Sequence, residues 1–221
     1  ILSGSLINIL ITILLYNVLR EYKLSRKINL FYCLCFSILA NPSMGVPFPD
    51  HFSSFFSLGA ILLFLILIKK KDTFYWTAIP FLFFIAFFSK QTPATYLLFS
   101  FLIILAFYLY LYKKINFIKY FILSSFLCLS IFILFLYINS INFENFINQY
   151  ILFPRTIGEE RLDNYKFSVN SVLNNFKFIY FALIFVLINI FFQFKNNRVR
   201  VEKDRFIINI TLILVSLSFI F

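Results

Sequence analysis

Apolar residues fall in long blocks along this chain, separated by short polar, basic or proline-bearing stretches. The blocks are Ile1–Leu19, Ile28–Ala40, Phe52–Ile68, Phe74–Phe88, Ala94–Tyr112, Tyr120–Ile138, Phe178–Phe194 and Phe206–Phe221. A bilayer crossing takes about 20 mostly apolar residues. The blocks approach that length and lack the period-two alternation of a barrel strand. Each therefore predicts a helix that satisfies its own backbone. The second block is short and is expected to borrow residues from the break that follows it.

The polar connections carry a second pattern. Arg20, Lys23, Arg26 and Lys27 follow the first block, and Lys69, Lys70 and Lys71 the third. Lys113, Lys114 and Lys119 follow the fifth; Lys195, Arg198, Arg200, Lys203 and Arg205 follow the seventh. The other connections hold only Lys90, Arg155, Arg161, Lys166 and Lys177. Strict alternation predicts that the basic loops are cytoplasmic. The break at Asn41–His51, the turn at Ser89–Pro93 and the long loop 139–177 then share the outer face. Within that loop Phe143, Phe146, Ile147, Tyr150 and Ile151 recur at helical spacing. They predict an amphipathic helix lying in the interface and stopping before Pro154. Ser168 or Ser171 is expected to cap a short helix leading into the seventh block.

Composition agrees with this picture and narrows it. Apolar residues make up 62% of the chain and charged ones 13%, against about half and about a quarter in a soluble domain. The expectation is an all-α polytopic membrane protein of about eight transmembrane helices. It forms one transmembrane domain over 1–221, with an outer-face loop holding the interfacial helix. The setting is a bacterial inner (plasma) membrane. The net charge of +11 is mostly a topology signal, so nucleic acid is not an expected partner. Phe supplies 35 of 221 residues, and Phe-dense helices read as lipid-facing surface. Cys33, Cys35 and Cys128 lie inside apolar blocks and read as small buried hydrophobes. Both ends lie inside apolar runs, so the chain reads as a fragment.

A few residues depart from the pattern. Gly45-Val46-Pro47-Phe48-Pro49-Asp50-His51 limits helix continuation twice and then sets a carboxylate and the sole histidine at the mouth of the third block. Asp50 reads either as the N-cap of that helix or as a base, metal ligand or acceptor-binding group facing water. His51 reads as an interfacial hydrogen-bonding residue or a catalytic partner. Lys90 breaks the charge rule. It reads as a lysine reaching headgroup phosphates or as a cation over a lipid-linked phosphate, with Gln91 and Thr92 as further donors. Arg155 and Arg161 flank an acidic cluster that is either a solvated loop or a clamp for a phosphate or sugar carboxylate. A divalent metal is left open; it would need Glu159, Glu160 or Asp163, or sequence beyond the chain. Ser53, Ser57, Gly59 and Ala60 predict close helix packing. With only 4 Gly, a glycine-rich nucleotide loop is disfavoured.

Taken in order, these stretches form a series. Leu15-Tyr16-Asn17-Val18-Leu19-Arg20 leads through a short block to Pro49-Asp50. Phe52–Ala60, a lysine run and Ala86-Phe87-Phe88-Ser89-Lys90-Gln91-Thr92 follow. The series resembles the polytopic GT-C-type glycosyltransferases, the protein mannosyltransferase, aminoarabinose transferase and RgtA/B/C/D-like group, over roughly residues 1–112. The resemblance implies a GT-C-like fold. It implies transfer of a sugar, with inversion, from a polyprenyl-phosphate carrier to a lipid, glycan or protein acceptor at the outer face. Asp50 matches that group's second outer acidic position and Lys90 its Ser/Thr-Lys position near the carrier phosphate. The group's principal acid lies in an earlier outer loop, so the fragment is expected to be inactive alone. The alternatives are a transporter or flippase, an O-antigen polymerase or ligase, and a purely structural subunit.

Overall fold

The structure is a computed structural model that describes residues 2–40, 48–70, 73–113, 115–154, 156, 173–196, 198–199 and 201–219. All regular structure among these is helical. The helices are α1 (Leu2–Glu21), α2 (Arg26–Leu39), α3 (Pro49–Lys69), α4 (Ala78–Ser89), α5 (Gln91–Tyr112), α6 (Ile118–Ile138), α7 (Phe143–Phe146), α8 (Lys177–Lys195) and α9 (Lys203–Ser218). A 3-10 turn at Phe74–Thr77 leads into α4, and a π-helical turn at Ile147–Leu152 extends α7. A helix therefore stands at each of the eight apolar blocks.

Their lengths divide them. Five helices are long and apolar enough to cross a membrane: α1, α3, α5, α6 and α8. The remaining three are shorter. The 14 residues of α2 span about 21 Å and the 16 of α9 about 24 Å, against a hydrocarbon core of about 30 Å. The extension expected for α2 falls on 41–47, outside the described residues.

α3 is the hub. It packs against α1, α4 and α5, while α6 lies on α4, α9 on α5, and α8 on α9. Lipid supplies no hydrophobic drive between helices, so close fit has to hold them. The small residues of α3 provide that fit. Ser53, Ser57 and Ala60 are fully buried, and a Cβ on Gly59 would come 2.9 Å from Ile11 Cδ1. The spacing read from Ser53, Ser57, Gly59 and Ala60 is thus used as expected. Toward the far end of α3, Phe64 meets Trp76, Phe101 and Tyr108 edge-on at 5.4–5.7 Å. Trp76 in turn stacks on Phe117. Much of the phenylalanine is exposed, since α6 and α8 leave most of their surface uncovered. Phe55, Phe64, Phe83, Phe101, Phe117 and Phe206 are buried and form core.

The ends of the bundle differ. Tyr22 donates to the Leu65 carbonyl at 3.3 Å. Asp204 accepts from Lys69 Nζ and from the Tyr112 hydroxyl. These contacts bring the basic connections after α1, α3, α5 and α8 to one end. The N-termini of α3 and α5 lie at the other.

Candidate functional site

Helix α3 begins differently from the capping reading of Asp50. Its N-cap is Phe48, with Pro49 as the first helical residue, a position that suits proline because its missing N–H has no partner there anyway. Asp50 is therefore the second residue of the helix and does not cap it. Its carboxylate still lies in the first turn, at the positive end of the helix dipole. His51 does the capping: its Nδ1 accepts from the Phe48 backbone N–H at 3.2 Å, and its ring stacks on that of Phe48. One ring nitrogen of the sole histidine is thereby engaged in holding the turn.

The sharp α4–α5 turn is centred on Lys90, whose backbone is extended between the two helices. Ser53 Oγ, wholly buried, donates to the Lys90 carbonyl at 2.7 Å. Lys90 N–H donates to the Ala86 carbonyl at 3.1 Å. Pro93 falls in the first turn of α5, as its fixed φ favours. With the turn pinned against the start of α3, the Lys90 ammonium forms an ion pair with Asp50 Oδ1. The two side chains remain 42% and 50% exposed. A carboxylate and a cation forty residues apart in sequence thus converge at one helix-end rim, in contact with each other.

Gln91 is placed elsewhere. Its Nε2 donates to the Tyr150 carbonyl, and the Tyr150 hydroxyl donates to the Phe87 carbonyl at 2.7 Å. This reciprocal clasp ties the π-helical turn to α4 and α5. Tyr150 also stacks on Phe88 and Phe146. The amphipathic helix exists, but its apolar side faces α4 and α6. Helical backbone continues through Phe153 and Pro154, past the stop expected at the proline. The wider π turn before it leaves room for the pyrrolidine ring against the preceding carbonyl.

Beneath this clasp runs an apolar groove of about 600 Å³ between α4, α5, α6 and α7. Phe83, Phe87, Phe88, Phe132, Phe146 and Ile151 are among its lining residues. Phe88 lies two residues before Lys90. The Asp50–Lys90 pair itself is not part of that lining.

At the opposite end a knot forms that the sequence did not signal. Asp204 joins Lys69 and Tyr112, Lys69 lies over the Tyr22 ring at 5.0 Å, and Lys203 lies over the Tyr112 ring at 5.5 Å. Burial, then the Asp204 and Glu21 charges, push the Tyr22 phenol well above its ordinary value, so it stays a neutral donor. A polar hollow of about 490 Å³ lies beside the knot, lined by Tyr112 and residues 201–205. Nearby, hydrogen bonds from Arg205 foremost hold the Glu202 carboxyl below its usual value.

Arg155 and Arg161, the metal candidates Glu159, Glu160 and Asp163, and the capping candidates Ser168 and Ser171 all lie outside the described residues. Cys33 and Cys128 are buried and Cys35 half-buried, all as free thiols. No known protein family, curated protein or solved structure matches the chain.

Proposed function

We propose that the chain is the membrane domain of a glycosyltransferase. It moves a sugar from a polyprenyl-phosphate carrier to a lipid, glycan or protein acceptor at the outer face of a bacterial plasma membrane. The helices of all eight apolar blocks cross in this reading, the shorter three within locally thinned bilayer, and the basic connections are cytoplasmic. A GT-C-like arrangement follows from the same reading.

The observation that carries it is the meeting of Asp50 and Lys90 at one rim. A lipid-phosphate donor calls for a cation over the phosphate and a carboxylate near the acceptor hydroxyl. The apolar groove ending at Phe87 and Phe88 supports it further, since a prenyl chain needs such a slot. In the reaction the acceptor oxygen forms the new bond to the anomeric carbon as Asp50 takes its proton. The bond from that carbon to the phosphate oxygen breaks on the opposite face, and its electron pair leaves with the polyprenyl phosphate. Lys90 holds the charge that develops there. Arg155 and Arg161 are proposed as further phosphate contacts. Gln91 and His51 serve the site by fixing its two turns. A transporter would be expected to set ionisable groups near mid-bilayer. Asp50 and Lys90 sit at helix ends, which favours surface chemistry.

The test is sugar transfer in membranes carrying the full-length protein. Asp50→Asn and Lys90→Ala should each lower transfer by about 10²-fold or more, the usual worth of a positioned base or charge clamp. Membrane insertion, read by protease protection, should be unchanged. Wild-type transfer by both variants overturns the assignment.

A further inference from the structure

We propose that the Asp50–Lys90 ion pair is a latch opened by the carrier itself. The phosphate draws Lys90 away from Asp50, and seating of the donor raises the share of the carboxylate that is free to accept a proton. The inference rests on the function just proposed and states how that site is regulated.

Paired with each other, the two groups do neither job. Oδ1 of Asp50 is taken up by an ammonium, and the ammonium already has its anion. Exchange is nevertheless easy. With side chains 42% and 50% exposed, such a pair favours its closed form by a factor of about five at most. The donor's phosphate is a diester with one negative charge and competes with the carboxylate for the cation on equal terms; the carrier left after transfer is a monoester of about −1.5 to −2 at neutral pH. The charge on the carrier phosphate also grows as the sugar leaves, which draws Lys90 further toward it.

The surrounding structure confines the movement to side chains. Ser53 holds the Lys90 carbonyl at 2.7 Å and Ala86 its N–H, so the turn stays in place while the ammonium swings. Asp50 keeps a favourable site after release, because the first-turn N–H groups of α3 and their dipole stabilise an anion there. His51 does not take over as its partner through Nδ1, which is bonded to the Phe48 N–H. An idle site thus holds its base largely capped, and arrival of the donor raises the uncapped share.

The test measures binding of radiolabelled dodecyl phosphate to the full-length protein in nanodiscs, corrected with empty discs. Asp50→Asn removes the competitor for Lys90 and should tighten binding about two- to five-fold. Lys90→Met should weaken it at least as much, and Asp50→Asn added to Lys90→Met should change nothing more. Lys90→Arg keeps the charge and should preserve the response to Asp50→Asn, which separates loss of charge from loss of fold. If Lys90→Met weakens binding while Asp50→Asn leaves it unchanged or weaker, the latch is refuted and the phosphate site stands. If Lys90→Met binds as well as wild type, the phosphate site and the latch fall together.

Discussion

Two serines one turn apart on α3 allow a sharp comparison. Ser53 and Ser57 are both fully buried. Ser53 Oγ donates to the Lys90 carbonyl at 2.7 Å, whereas Ser57 Oγ has no hydrogen-bond partner. Ser53→Ala removes a bond between helices in an apolar interior, where such bonds average about 0.6 kcal/mol and reach about 1.7. We take about 1 kcal/mol of lost stability. Ser57→Ala removes no bond. It gains about 0.5 kcal/mol of helix propensity and loses a few tenths to the small void left by one oxygen, so its net effect is near zero. The gap of about 1 kcal/mol corresponds to about a five-fold difference in unfolding constant. It can be read from SDS-driven unfolding of each variant in mixed micelles. Equal destabilisation by the two substitutions, or a larger cost at Ser57, would refute the claim that the α4–α5 turn is held to α3 through Ser53.

Two further outcomes follow from the packing. Gly59→Val should destabilise the bundle by about 1–3 kcal/mol through overpacking, since even a Cβ there approaches Ile11 Cδ1 to 2.9 Å; the same unfolding titration reads it. Tyr22 gives a pH dependence: its phenol is raised in the folded protein above the ordinary 10.0. Its contribution is therefore complete below pH 10 and is lost as the pH climbs toward the folded value. Wild-type stability should fall more steeply than that of Tyr22→Phe above pH 10, and parallel curves would rule the contribution out.

The sequence announced helix positions well because most apolar blocks are bounded by charge or proline, as Lys69 and Pro49 bound α3. It announced helix lengths less well. A block such as Ile28–Ala40 does not say how far its neighbours continue the turn, and α2 ends at Leu39. Asp50 and Lys90 stood out because each breaks a local rule. Their pairing did not, since it depends on how α3, α4 and α5 pack. Tyr150 was legible only as one apolar position on a helix face, and its hydroxyl found Phe87 through tertiary contact alone. Asp204 lies between Lys203 and Arg205, and nothing in that stretch of sequence marks it as a tie between helices. Phe87, Phe88, Phe132 and Phe146 were indistinguishable in sequence from phenylalanines that face lipid; only the arrangement of α4, α6 and α7 makes them a groove.

The unequal ends of the bundle bear on how the proposed site could work. At the basic end Asp204 ties α9 to α3 and α5, Tyr22 ties α1 to α3, and the Phe64–Trp76–Tyr108–Phe117 cluster fills the space between. These contacts are multiple and partly shared, so opening one leaves others in place. At the other end the side-chain ties include Ser53 to Lys90, Asp50 to Lys90, the Gln91–Tyr150–Phe87 clasp, and Ser218 to the Tyr96 carbonyl. Three of these bonds reach backbone carbonyls of the α4–α5 segment and fix its path, while the ion pair joins two exposed side chains. Local opening follows the weakest and most solvated contacts. The Asp50–Lys90 pair can therefore separate without disturbing Ser53, Tyr150 or the knot around Asp204. A bundle bonded at both ends, with one exposed and replaceable charge pair at this rim, can admit an anion there while its helices stay packed.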